Sequence, residues 1–347
     1  MKFIEFPKII ERRKVELDDF VFSSRVRIVR NIEGLTFPHL LSENERTEID
    51  NKLSLIIKKL PYEIQFEKIE SMEKDLVMIY ITNHVLTREF ITNGRILAHD
   101  DNGSWVILLN EDDHICIYSI ENGYNIKTIL ARLLMIISEI EDKVDFSYDE
   151  EMGYLTSSVL NVGTGLRLSA LVNLHGIVST KKIEKFIETA NAIGYSIINI
   201  NKENSESGLF YVYNIYSLGL SEDEMAADFK QFLLKTLNLE IESREEYFNN
   251  KEELEISLEE VFELSIKEKM DWSTMLYYIS LIDSLNKKYI EIEELQKFRN
   301  LIYTAHDDYL FYKNHIEKEF LDKVRMNMIK YFISHIKYRN LKNHLKV

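Results

Sequence analysis

The sequence holds one cysteine, Cys116, in 347 residues, which excludes an internal disulfide framework and any cysteine-rich zinc site. Only 3 prolines and 11 glycines are present, so the chain is neither collagenous nor low-complexity, and 45% hydrophobic residues suffice for a large core. No uninterrupted apolar run approaches membrane-spanning length, and charges are scattered through the first stretch, MKFIEFPKIIERRKVELDDF. The expectation is a cytoplasmic protein that does not contact membrane. A basic surplus is also lacking: the net charge of −15 argues against nucleic acid as a partner while leaving room for a small anion at a local group of arginines. Only the last stretch, LDKVRMNMIKYFISHIKYRNLKNHLKV, is basic, and reads first as a solvated helix face and second as a docking surface.

Periodicity gives the elements. Leu41 to Leu60 predicts an amphipathic helix opened by a Ser42/Glu45 capping box. Leu76 to Ile81, Trp105 to Leu109, Ile115 to Ile120, Leu168 to Leu174, Tyr195 to Ile200 and Leu209 to Ile215 read as strands. Ile126 to Ile140 is apolar nearly all round and predicts a buried helix; Lys181 to Ala192 is a helix stopped by Gly194; Ser221 to Leu237 opens with a second capping box, Ser221/Glu224. Past about Glu240 no strand pattern remains, and the acidic run ESREEYFNNKEELE, residues 242–255, marks a boundary. The expected organisation is an N-terminal segment 1–19, an α+β domain 20–245 and a helical domain 246–347, with helices outside the sheet.

Three stretches carry chemistry. In FVFSSRVRIVRN, period-two alternation puts Arg25 and Arg27 on one strand face, where they repel unless an anion such as phosphate lies between them; exposed surface arginines are the bland alternative. In GYLTSSVLNVGTGLRLSALVNL, Gly163 and Gly165 precede Arg167, and closely spaced glycines let backbone N–H groups approach phosphate. No Walker lysine follows, and a strand rather than a helix comes next, so neither nucleotide fingerprint is met. In WVILLNEDDHICIYS, Glu111, Asp112, Asp113 and His114 crowd the break between two apolar strands. Three adjacent acids cost stability unless a cation approaches them; a solvated turn is the alternative.

Taken in order, SSRVRIVRN, NEDDH, GYLTSSVLNVGTGLR and LGLSEDE resemble the phosphagen or guanido kinases, most closely the bacterial protein arginine kinases, over roughly Phe20 to Leu237; the helical tail with FLDKVRM resembles theirs too. The resemblance implies a saddle-shaped, mainly antiparallel, glutamine-synthetase-like sheet flanked by helices. It implies transfer of the γ-phosphate of ATP, with Mg2+, to arginine side chains of proteins. Arg25, Arg27 and Arg167 would grip the phosphates, with Ser23, Ser24, His114, Gly163 and Gly165 in the nucleotide site. Asp112 would contact the guanidinium, Glu222 would be its partner carboxylate and Glu111 an auxiliary one; no protein-held metal site is implied. Partners implied are the Clp protease system, a zinc-binding activator protein and a second copy in a homodimer.

Several positions depart from the family. Cys116 and Ser196 stand where the resemblance expects phosphate-clamping arginines, Asp112 is one methylene shorter than glutamate, and Ser158, Val159 and Leu160 replace the segment with the family's reactive cysteine. These changes favour, as an alternative, a catalytically impaired relative acting as a binding or regulatory module; a free-arginine kinase is a third reading. Asp322 and Arg325 fall on a phosphoarginine-sensing motif, but their one-turn spacing is read first as a helix-stabilising pair. Trp105 and the aromatics of GLFYVYNIY are read as core.

Overall fold

The computed structural model describes residues 16–339, apart from 83–85, 87–89, 93–94, 102 and 202–206. In chain order, β1 (Val21–Arg30), α1 (Glu43–Ile57), β2 (Ile64–Lys68), α2 (Lys74–Thr82), β3 (Ile96–Asp100), β4 (Val106–Leu109), β5 (Ile115–Asn122) and α3 (Ile126–Glu141) come first. A short hairpin, β6 (Tyr148–Asp149) and β7 (Gly153–Tyr154), precedes β8 (Leu166–Asn173), α4 (His175–Ser179), α5 (Ile183–Ala192), β9 (Tyr195–Asn199), β10 (Leu209–Asn214) and α6 (Glu222–Asn249). The tail comprises α7 (Lys251–Glu263), α8 (Trp272–Leu285), α9 (Leu295–Arg299), α10 (Leu301–Thr304) and α11 (Leu321–Ile333), plus a two-residue pairing of Ile290–Glu291 with Lys337–Tyr338.

Eight strands form one sheet in the order β2-β3-β4-β5-β1-β8-β10-β9, every neighbouring pair antiparallel. The expected α+β class and antiparallel sheet are therefore met. Alternation sorts the side chains: Val26, Ile28, Leu168, Ala170, Val212 and Ile117 enter the main core with Leu53 of α1, Ile129 of α3 and Phe229 of α6. The other face carries the arginines at its centre. To one side α2 covers it, with Leu76, Val77 and Tyr80 packed on Leu97, Leu108, Cys116 and Tyr118. To the other side the tail covers it, its core running continuously onto Phe22, Leu171 and Leu209.

Both capping boxes form as expected, at Ser42/Glu45 and Ser221/Glu224. The segment Leu76 to Ile81, read as a strand, is instead within helix α2. Its buried Leu76, Val77 and Tyr80 fall at helical spacing, and a short apolar run does not by itself separate a strand from a packed helix. Strands β2 and β3 were not expected. The helix opened by Ser221 continues beyond Leu237 to Asn249, so it crosses the anticipated boundary at 245; the break comes at Asn250, whose side chain caps α7 by accepting from Glu252 N.

Candidate active site

Strand β1 supplies the centre. Arg25 and Arg27 leave it on the same face, and Arg27 is the direct cross-strand partner of Arg167 on β8. The Arg25 guanidinium lies 4.6 Å from the Tyr118 ring, and that of Arg167 lies 5.3 Å from the Tyr213 ring. Aromatic faces tolerate guanidinium charge without neutralising it. Arg167 reaches Asn161 Oδ1 only at 3.4 Å, and its pKa is lowered by burial and then by Arg27 and Arg25 nearby. Three guanidiniums held together in this way make an anion-seeking surface.

The turn between β4 and β5 brings carboxylates to the same place. Arg27 donates through Nη2 to Glu111 Oε2 at 3.0 Å and through Nε to the Cys116 thiol at 3.0 Å. Burial works against the Arg27 charge, but its hydrogen bond to Cys116 and the Glu111 carboxylate outweigh it and raise its pKa. Cys116 is buried, its pKa pushed up to about 12 by burial, so it is a neutral thiol that receives Arg27 rather than a second cation. Asp112, at the tip of the turn, is exposed, and its carbonyl accepts from Ser157 Oγ at 2.6 Å. Asp113 points the other way: fully buried, it accepts from Asn31 Nδ2 at 2.6 Å and from Ser157 N at 2.7 Å, tying the turn to β1 and to the 156–158 loop. The adjacent acids thus divide into a guanidinium ligand, an exposed carboxylate and an internal strut. Of the three acids only Asp112 is exposed.

The other anticipated residues are placed as follows. His114 is buried; its Nδ1 accepts from Ile32 N, its Nε2 faces Thr36 O at 3.1 Å, and burial pushes its pKa down to about 4, so both ring nitrogens serve the turn and not a ligand. Ser24 is buried and donates to Gly123 O at 2.7 Å, whereas Ser23 pairs with Tyr303 OH at 2.9 Å, joining the arginine face to the tail. Gly163 has φ +110°, and a Cβ there would lie 2.3 Å from Ser217 O; at Gly165, φ +62°, it would lie 2.6 Å from Val29 O. Their N–H neighbours are engaged too, since Gly163 N donates to Tyr154 O and Thr164 N to Ser217 O. The glycines answer to close backbone packing. Glu222 begins α6 and lies 3.9 Å from Arg30 Nη2, a buried guanidinium stacked 3.5 Å from the Tyr154 ring. Alternation sets Arg30 on the side of β1 opposite Arg27, so the ionic partner of Glu222 is not one of the three face arginines.

Ser196 is paired with Tyr213, the ring beneath Arg167, and therefore faces the arginine side of the sheet. Arg325 is buried, bonding Ala305 O, Met270 O and Asp322, with Asp307 also paired to it; the one-turn Asp322–Arg325 pair forms as read, and the other three contacts tie the helix to the rest of the tail, which that reading did not foresee. Trp105 and Phe210 are core, as expected, and Tyr211 packs half-buried against the tail core; Tyr213 instead lies beneath Arg167 and Tyr216 is exposed. Sequence reasoning missed Arg30, Asn31 and Tyr303, whose roles depend on partners 82 to 280 residues away. For Arg30, strand alternation was the one signal available.

This arrangement has counterparts. Residues 47–243 match the model of the ATP:guanido phosphotransferase C-terminal catalytic domain, a match that includes the carboxylate turn and Arg167 and begins after β1. A protein-arginine kinase of Clostridium tetani is 29% identical over 232 residues, 65% of this chain and 68% of that one. One from Bacillus velezensis is 31% identical over 257 residues, 70% of this chain and 69% of that one. A substrate-free duplicated taurocyamine kinase from Schistosoma mansoni superposes with a TM-score of 0.60 at 24% identity, covering 69% of this chain and 36% of that one. A lombricine kinase does so with a TM-score of 0.56 at 21% identity, covering 68% of this chain and 70% of that one. The chain spans about two thirds of the length of the curated relatives. Among the described residues no helix is long and apolar enough to cross a membrane. With the family model covering more than half of its length, and the sheet, the face arginines and the carboxylate turn arranged as described, the chain belongs to the ATP:guanido phosphotransferase family.

Proposed function

We propose that this chain transfers the γ-phosphate of Mg-ATP to arginine side chains of proteins. The observation that carries the proposal is the meeting of Arg25, Arg27 and Arg167 on one sheet face with the Glu111–Asp112 turn beside them. Planar guanidiniums suit phosphate oxygens, so the three arginines would hold the nucleotide's phosphates and spread the charge of the transferring group. Magnesium would arrive on the nucleotide's phosphates, which supply most of its ligands; among the described residues no cluster of three or more metal-ligating side chains exists. Exposed Asp112 would orient the incoming guanidinium. As the N–P bond forms and the bond from phosphorus to the ADP oxygen breaks, the guanidinium proton passes to the Asp112 carboxylate. The names of the curated relatives support protein arginine as the acceptor.

The test is incubation with labelled Mg-ATP and either an unfolded arginine-rich protein or free arginine, scoring acid-labile phosphate. Label on protein supports this reading; label on free arginine alone replaces it with a free-guanidine kinase. Cys116, seated against Arg27 where the resemblance expects an arginine, is the observation behind the second reading, a binding or regulatory module, toward which absence of label on both acceptors would point. A Clp-type protease partner, a zinc-binding activator, a homodimer and a cytoplasmic setting belong to the same reading by family resemblance.

A further inference from the structure

Arg95 precedes β3, and continuing the β3–β4 register, in which Leu97 faces Leu108, by two residues sets Arg95 opposite Asn110, the neighbour of Glu111. Alternation gives it the side of Leu97, which packs in one cluster with Cys116 and Tyr118, so Arg95 belongs to the arginine face. Its backbone is fixed by Ile69 N donating to its carbonyl at 2.9 Å, and its guanidinium lies 5.9 Å from the Phe90 ring. The residue is 8% exposed, yet its Nε and Nη1 are buried without a hydrogen-bond partner. Unused buried N–H groups on a charged side chain are costly, and each calls for a partner or a role. Burial, then Arg46, lowers the pKa of Arg95; Asp50, Glu111 and Asp112 act the other way, which places the turn's carboxylates within its field.

Meanwhile Glu111 occupies Arg27, the guanidinium a phosphate needs. We propose that Glu111 is an internal counterion that changes partner: it neutralises Arg27 in the empty site and passes to Arg95 when phosphate takes Arg27. Arg95 is then the positioning residue that holds the turn, and Asp112 with it, in the loaded state. It also returns one positive charge to the face on which Cys116 stands. The proposal rests on the phosphate-binding reading above.

The test is calorimetric titration of the full chain with inorganic triphosphate at fixed ionic strength, in wild type, Glu111→Gln, Arg95→Gln and the double variant, with thermal melts confirming the fold. Glu111→Gln removes the competing anion and tightens binding. Arg95→Gln weakens binding about tenfold in the wild-type background and changes nothing once Glu111 is Gln, a coupling usual for residues that share a partner. Arg95→Lys, which keeps the charge, gives the same cycle with a smaller loss if Arg95→Gln does not fold. Equal weakening in both backgrounds, as from a merely structural role, or no weakening in either, overturns the exchange. Folded protein that takes up no triphosphate in any of the four overturns the phosphate reading itself, an outcome distinct from equal losses.

Discussion

Arg27 and Arg167 are direct cross-strand partners, two guanidiniums side by side at the centre of an antiparallel sheet. Like charges so placed are destabilising by roughly 0.2–1 kcal/mol, and phosphate binding relieves the repulsion. Arg167→Met should therefore leave the melt of the empty protein unchanged or slightly raised. In wild type a phosphate ligand at 100 times its Kd stabilises by about 2.7 kcal/mol; in Arg167→Met that gain should be lost. A melt raised equally by ligand in both proteins would separate Arg167 from the anion site.

Asp112 and Asp113 are neighbours with opposite fates. Asp112→Ala changes an exposed tip and should alter stability by no more than about 0.5 kcal/mol while removing turnover. Asp113→Ala strands donors on Asn31 and Ser157 and should cost on the order of 2–6 kcal/mol in urea unfolding, at about 1–3 kcal/mol for each lost partner. The reverse ordering of stabilities would mean that the turn has been misassigned.

Stability should fall on mild acidification because two buried histidines are neutral in the fold. Burial pushes His114 down to about 4 and, with Arg244 adding to it, His175 down to about 3. Below pH 6.5 the unfolded chain takes up protons that the folded chain refuses, so their contribution is complete above that pH and is lost as pH falls toward 4. His114 alone accounts for roughly 3 kcal/mol across this window. Urea midpoints between pH 7 and pH 4.5 should decline in wild type and decline less in His114→Gln; parallel slopes would refute the assignment to His114.

The tail should not melt separately. Arg299 is buried between the two parts, bonding Asp283 at 2.7 Å and the carbonyls of Asp18 and Asp19 at 2.6 and 2.8 Å. Arg299→Met leaves the Asp283 charge buried with only the Asn173 amide against it, at a cost of about 3–5 kcal/mol. Calorimetry should show one transition in wild type and one, at lower temperature, in the variant. Two resolved transitions in wild type would establish independent units divided near residue 245, as the composition shift suggested.

Much of the sheet was legible because β4, β5, β8, β9 and β10 are largely apolar runs bounded by turn residues, β1 alternates arginine with apolar residues, and the capping boxes fixed the starts of α1 and α6. The α2 segment was not, since Leu76 to Ile81 is apolar without a period that excludes a strand; the sheet it covers decides its form. At the site, Arg25, Arg27 and Arg167 announced themselves by alternation and motif order. Pairing did not. That Glu111 rather than Asp112 reaches Arg27, that His114 is spent on Ile32 and Thr36, and that Gly163 and Gly165 serve packing all depend on side chains meeting across strands distant in sequence.

The most direct test of a phosphotransferase centre on this face is the single-turnover rate of phosphate transfer from labelled Mg-ATP to an unfolded arginine-containing protein, in wild type and in Asp112→Ala with matched melts. Transfer in wild type that falls on the order of 100-fold or more in the variant, the scale of a lost general base, is the predicted result. Equal rates in the two proteins, or no transfer by folded wild type, would contradict it.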